Sequence, residues 1–387
     1  MQAVVDAPGG RVLDPREGEA LAAGNRAAFE RAFADASPRP ERRGAAPARA
    51  DSANGLHERH YVLSGRVARV RVVGDGLAER LHFPFAHLEV DADPSPALTI
   101  DLWDPAATGV EAPRSSLEAI DPAMRPAVAV TSDGRLVGHR LTNTLTWLDR
   151  RASTITGAVD PSRGLTLFET GRPLYFPLML WLRDRRVQFV HAGLVAKGGD
   201  GLVLCGQGGS GKSTTTLLCL AAGFDFLGDD YVGIEPRGGG FVGHSLFCST
   251  YLDPAGLERF PELDAHAVHG TTSEEDKSVV LVSRVWPTRL AASARIRAVL
   301  LPEVSGEATT RIEKASRGYA LRRAAPSSIL QLLAPEPSSL ARISALVEST
   351  PCYRVALGRD RQRIPVLLDE LLTSLVASAR AEAADDR

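Results

Sequence analysis

Leu202-Val203-Leu204-Cys205-Gly206-Gln207-Gly208-Gly209-Ser210-Gly211-Lys212-Ser213 is the stretch that decides the fold. Its last eight residues match G-x-x-x-x-G-K-[ST], a loop that wraps phosphate groups with backbone N–H donors. A triphosphate is a dense anion, and only glycine lets the chain approach it closely enough for several amides to point inward. Gly206, Gly208, Gly209 and Gly211 supply that freedom, and Ser210 and Thr214 complete the expected phosphate-binding set. Lys212 is placed to reach the outer phosphates, and the Ser213 hydroxyl to ligate Mg²⁺. The flanks agree with the motif. Leu202 to Cys205 reads as a buried strand, and Lys212 to Ala222 reads as a helix carrying Leu217, Leu218 and Leu220 and ending at Gly223.

Working outward, Phe224-Asp225-Phe226-Leu227 reads as the next strand, with Asp229 and Asp230 just past its end. Ligands of open α/β sheets bind at that edge. One carboxylate there can orient a metal and the other can accept a proton from an attacking hydroxyl. Two close acids repel, which raises one pKa and suits it to the base role. A Gly-Asp-Asp turn that merely ends a strand is the plainer alternative. Upstream, His191 precedes the hairpin that leads into Leu202. It is either a partner that tunes an aspartate or a histidine satisfied in the core. Of 45 Lys plus Arg, only Lys197, Lys212, Lys277 and Lys314 are lysine. Lys277, in Glu274-Glu275-Asp276-Lys277, is a candidate second phosphate or substrate contact, against the alternative of a solvated charge cluster.

The string from His191 to Val232 resembles the catalytic core of the HPr kinase/phosphorylase family. The shared parts are the histidine, a hairpin, the G-x-x-x-x-G-K-S loop, a short helix, a glycine and the Asp-Asp pair. The resemblance implies an α/β fold of the phosphoenolpyruvate-carboxykinase type, with ATP and Mg²⁺ as cofactors and phosphoryl transfer to a serine hydroxyl. It also implies roles. Asp229 matches the catalytic base with His191 as its partner, Lys212 the catalytic phosphate contact, and Ser213 and Asp230 the metal residues. The family's downstream Glu-x-Arg-Gly signature is absent; Lys314-Ala315-Ser316-Arg317-Gly318 lacks the glutamate. The layout is similar to divergent HPr-kinase-like proteins of bacterial peptide biosynthetic clusters.

The remaining chain divides on pattern. Residues 13 to 36 read as a helix with Leu21, Ala28, Phe29, Ala32 and Phe33 on one face. An Ala-, Pro- and Arg-rich linker closes the first segment, 1–56. A β-rich domain is expected over 57–172, the nucleotide-binding core over 173–320, opening on a helix from Pro173 to Val190, and a helical C-terminal extension over 321–387. The polar stretch from Ala265 to Lys277 reads as a loop or a lid. His266-x-x-His269 has metal-like spacing but no cysteine partner nearby.

Formal charge is −2 and no long basic block occurs, which disfavours nucleic acid as a partner. Four cysteines without a C-x-x-C pair fit a reducing compartment, and the absence of a signal peptide or long apolar run fits a cytoplasmic protein off the membrane. The expected function is a Mg-ATP-dependent kinase acting on a hydroxyl of a peptide, protein or small molecule. A nucleotide-gated binding module and a simple NTP hydrolase are the alternatives. The related kinases assemble, so a homo-oligomer is also an expectation.

Overall fold

The computed structural model describes residues 10–36, 55–113, 127–269, 277–330 and 337–385. Most of the linker and residues 270–276 of the lid stretch lie outside them. The protein is mixed α/β and divides into two units, Met1–Trp181 and Leu182–Arg387.

The first unit is built on one nine-stranded sheet. Leu56–Leu63 and Arg66–Val73 form its hairpin, joined at Ser64-Gly65 with φ of 51° and 75°. Positive φ at both turn positions is the geometry that follows the twist of the strands. Leu98–Trp103 then pairs in parallel with Arg66–Val73 and with Thr154–Val159, and an antiparallel meander runs back to Ala127–Thr131. The expected N-terminal helix spans Pro15–Ala36. Its buried residues, Leu21, Ala22, Ala28, Phe29 and Ala32 among them, pack on Trp147, Trp103 and neighbouring sheet residues. Arg71 fixes this contact, forking onto Asp101 at 2.7 and 2.8 Å while lying 5.2 Å from the ring centres of Phe29 and Phe33. The helix therefore covers its own sheet. Ahead of it, Gly10–Leu13 is an edge strand parallel to Ala127–Thr131, too short for its pattern to be read from sequence.

His139, on the strand Leu136–Arg140, is buried against Phe176 with ring centres 4.6 Å apart, and its Nε2 has no partner among the described residues. Burial pushes its pKa down to about 3, and that of the partly buried His87 to about 4. Both are neutral in the fold, whereas the unfolded chain protonates near 6.5. Stability is therefore fully present above pH ~6.5 and lost as pH falls toward the folded values, at up to about 1.4 kcal/mol per pH unit for each histidine. Denaturant melts from pH 7 to 4 should show this slope, and His139→Leu should flatten it.

The second unit is a sheet covered on both faces. From one edge its strands run Gln188–Val190, Val232–Arg237, Gly240–His244, Ser293–Val304, Asp200–Cys205, Ala192–Lys197 and Asp225–Asp229. Successive side chains of a strand point to opposite faces, so Val203 and Cys205 enter one core while Leu202 and Leu204 enter the other. The first core is closed by the helices Arg317–Leu330 and Pro337–Ser349. The second is closed by Lys212–Ala221 and Arg363–Asp385, through Cys219, Ile364, Leu368 and Leu372.

Two expectations are corrected here. Residues 321–387 are not a helical extension. Cys352–Leu357 pairs in parallel with Ser293–Val304 inside the sheet, and the flanking helices close both cores. The expected helix from Pro173 to Val190 is only Tyr175–Arg183. The chain turns at Arg186, with φ of 68°, into the strand Gln188–Val190. A continuous apolar run does not distinguish a buried helix from a buried strand.

Candidate functional site

The strand Asp200–Cys205 passes through Gly206–Gly211 into the helix Lys212–Ala221, as its sequence predicts. Gly211 has a φ of 97°, and a Cβ there would lie 2.4 Å from Leu357 Cδ1. Backbone geometry and close approach both call for glycine. The Lys212 side chain folds over the loop, its ammonium donating to the carbonyl oxygens of Gly206 (2.8 Å) and Gln207 (3.2 Å). Burial lowers its pKa, while the charges of Asp229 and Asp230 oppose the shift.

The aspartates come from the adjoining strand. Asp229 ends Asp225–Asp229 and is buried. Thr250 Oγ1 donates to its Oδ2 at 2.5 Å, and the nearby Ser213 hydroxyl also favours its charged form. Burial pushes its pKa up to about 6; Thr250 pulls down, the Asp230 charge adds to the rise, and Ser213 and Lys212 pull down. Its Oδ1 is buried without a hydrogen-bond partner among the described residues.

Asp230 and His191 are neighbours through the sheet register. Val190 lies opposite Val232 and Gly193 opposite Asp229, which sets His191 against the segment Asp230-Tyr231. The Ala192 N–H donates to the Asp230 carbonyl at 3.1 Å, and His191 Nε2 lies 2.6 Å from Asp230 Oδ1. The ring packs on Tyr231 with centres 5.6 Å apart, and the His191 N–H donates to Ser328 Oγ at 3.3 Å. Nδ1 is buried without a partner among the described residues. A proton on Nδ1 would be stranded there, so the tautomer that fits carries it on Nε2, facing the carboxylate. The expectation that His191 partners Asp229 is thereby corrected. A strand's side chains alternate, so consecutive aspartates diverge, and it is Asp230 that meets the ring.

These parts open into one cavity of about 810 Å³. Its wall includes Gly208 to Thr215, His191 and Asp230. Lys277 also lines it, although its pattern alone slightly favoured a solvated charge cluster. So do Arg259, Arg359 and Arg361, which sequence reasoning missed. Forty-one arginines (45 cationic residues less four lysines) give no pattern by which to select three. Thr250 was missed as well, being one of many threonines on short apolar strands. The other singled-out residues lie elsewhere. Lys197 pairs with Asp369 at 2.7 Å, Lys314 ends the edge strand Arg311–Lys314, and His269 Nδ1 bonds Ser278 Oγ at 2.8 Å.

The donors near Ser213 are hard oxygens, the class that suits Mg²⁺, and the Asp229 carboxylate retains an oxygen without a hydrogen-bond partner among the described residues. Among the described residues no group of three or more His, Cys, Asp or Glu forms a cage. A cation shared with phosphate oxygens needs only one or two protein ligands, so this donor set fits such an ion. All four cysteines are buried and free. Among the described residues no helix is long and apolar enough to cross a membrane.

No family model matches the chain, and no curated protein sequence matches it. Among solved structures, the Hpr(Ser) kinase/phosphatase from Coxiella burnetii is a loose structural neighbour. The match has 11% sequence identity and a TM-score of 0.29, and covers 51% of this chain and 96% of that one.

Proposed function

We propose that the protein is a Mg-ATP-dependent phosphotransferase of the HPr-kinase-like kind, which moves the γ-phosphoryl group to a hydroxyl of a peptide, protein or small molecule. The observation that carries this reading is the Asp230–His191 pair facing the same cavity as the glycine loop. A loop alone binds a nucleotide; a carboxylate held ready beside it can take a proton.

The roles of the two acids are then the reverse of those the motif implies. Asp230 is the base: it faces the cavity, and the His191 N–H orients one of its oxygens. Asp229 is buried, off the cavity wall and near Ser213, so it is the residue that helps fix the metal. When bound, Mg²⁺ would offset the phosphate charge; Ser213, on the cavity wall, would hold it, and the buried Asp229 would support that site from behind. The acceptor hydroxyl gives its proton to Asp230 as its oxygen bonds to the γ-phosphorus. The bond from that phosphorus to the β–γ bridging oxygen breaks, and ADP leaves with the electron pair. Lys212 and the loop amides stabilise the charge that collects on the leaving oxygen.

The test is transfer of label from γ-labelled ATP, with Mg²⁺, to seryl peptides and small alcohols. Label in an acceptor is the expected result. Label released only as inorganic phosphate would replace this reading with a hydrolase. Nucleotide binding with no loss of label would replace it with a binding module.

A further inference from the structure

The glycine loop has two flanks, and they differ in chemistry. On one flank Leu357 abuts Gly211, and the chain runs on through Arg359 and Arg361. The other flank is the one joined to the aspartates. It is a separate three-stranded sheet in which Ser249–Leu252 pairs with Ser278–Leu281. Thr250 of the first strand donates to Asp229, and Leu252 lies opposite Ser278, the residue after Lys277. The helix Pro254–Arg259 follows directly, and Arg259 Nη1 comes within 3.5 Å of Thr214 Oγ1. Arg259 and Lys277 thus reach the cavity from the flank that carries the proposed base.

Both side chains belong to exposed residues, and among the described residues neither is held in an ion pair. Among the described residues, the two acids that line the cavity on this flank are already engaged. Asp230 faces His191, and Asp253 caps its helix by accepting from the Gly256 N–H at 2.7 Å. Two cations that have no carboxylate partner among the described residues, on the flank that carries the proposed base, form a receptor for negative charge. Lys212 and the loop amides are the expected holders of the transferring phosphoryl group, which leaves Arg259 and Lys277 for a second anion.

We infer that the acceptor carries, besides its hydroxyl, a carboxylate or phosphate group that Arg259 and Lys277 hold. This rests on the kinase reading above and names the substrate class of the same site. The fork of Arg259 suits either anion, and Lys277 adds a point charge.

The experiment uses the full chain saturated with Mg·ADP and titrates it by calorimetry with glycerol, glycerate and glycerol 3-phosphate. The neutral alcohol and its two anionic counterparts differ mainly in the charged group. Glycerate or glycerol 3-phosphate should bind at least about tenfold tighter than glycerol, and the stronger of the two identifies the anion. Arg259→Gln and Lys277→Gln should each cut that preference by roughly tenfold, one charge-assisted contact being lost in each. Equal affinity for all three compounds overturns the inference. So does an unchanged preference in both variants, or a uniform loss of affinity for neutral and anionic compounds alike, which would place the cations on the nucleotide. The ratio needs no turnover. A preference without any label transfer would sink the kinase reading and leave the anion site standing. Transfer without a preference would do the reverse.

Discussion

Asp230→Asn should retain Mg·ADP binding within a few-fold and lower kcat for label transfer by roughly 10²- to 10⁴-fold, the range for loss of a positioned general base. The amide keeps the shape of the carboxylate but cannot take the acceptor's proton. Asp229→Asn should act differently. Asp229 is buried, bonded to Thr250, near Ser213, and does not line the cavity. Its neutralisation should raise the Mg²⁺ concentration needed for half-maximal transfer, and excess Mg²⁺ should recover much of the rate. Excess Mg²⁺ should do nothing for Asp230→Asn. Measuring kcat for both variants across a Mg²⁺ series separates the roles. If Asp229→Asn is the variant that stays inactive at saturating metal while Asp230→Asn turns over, the assignment is the reverse of the one proposed.

Lys212→Met should separate stability from function. The ammonium is buried, and it donates to two carbonyl oxygens of the loop. Removing a buried charge relieves a desolvation penalty, while the Gly206 carbonyl loses its donor. These effects oppose, so the unfolding free energy should move by no more than about 1–2 kcal/mol. Nucleotide binding has no such compensation. Two charge-assisted contacts to the outer phosphates, at about 1.5–3 kcal/mol each, correspond to roughly 10²- to 10⁴-fold in affinity for Mg·ATP. A thermal melt beside a calorimetric titration checks both halves. A variant that binds Mg·ATP like the parent would show that Lys212 does not reach the phosphates.

The glycine loop was legible because it encodes a backbone requirement within eight consecutive residues, and its flanks repeat the message. The aspartate pair was legible for a similar reason, as a strand end beside that loop. The partnership within the site was not. Whether His191 meets residue 229 or 230 depends on sheet register, and a shift of one residue turns every side chain to the other face. Arg259, Arg359 and Arg361 were invisible among many arginines because their common destination is set by tertiary packing. The C-terminal segment misled for a related reason. Tyr353 to Leu357 reads as a strand between the helices Pro337–Ser349 and Arg363–Asp385, but its parallel pairing with Ser293–Val304, which decides where the segment belongs, leaves no local signal.

The contact between Gly211 and Leu357 spans 146 positions of chain (357 minus 211). Contacts of such long range form slowly, because the intervening polymer must first be ordered. During refolding, the helix at Lys212 can nucleate locally, but the curve of the loop ahead of it waits for the strand Cys352–Leu357 to dock. Ligand capture should therefore be among the last signals to recover after dilution from denaturant, lagging far-ultraviolet ellipticity, and should serve as a late clock for maturation of this unit.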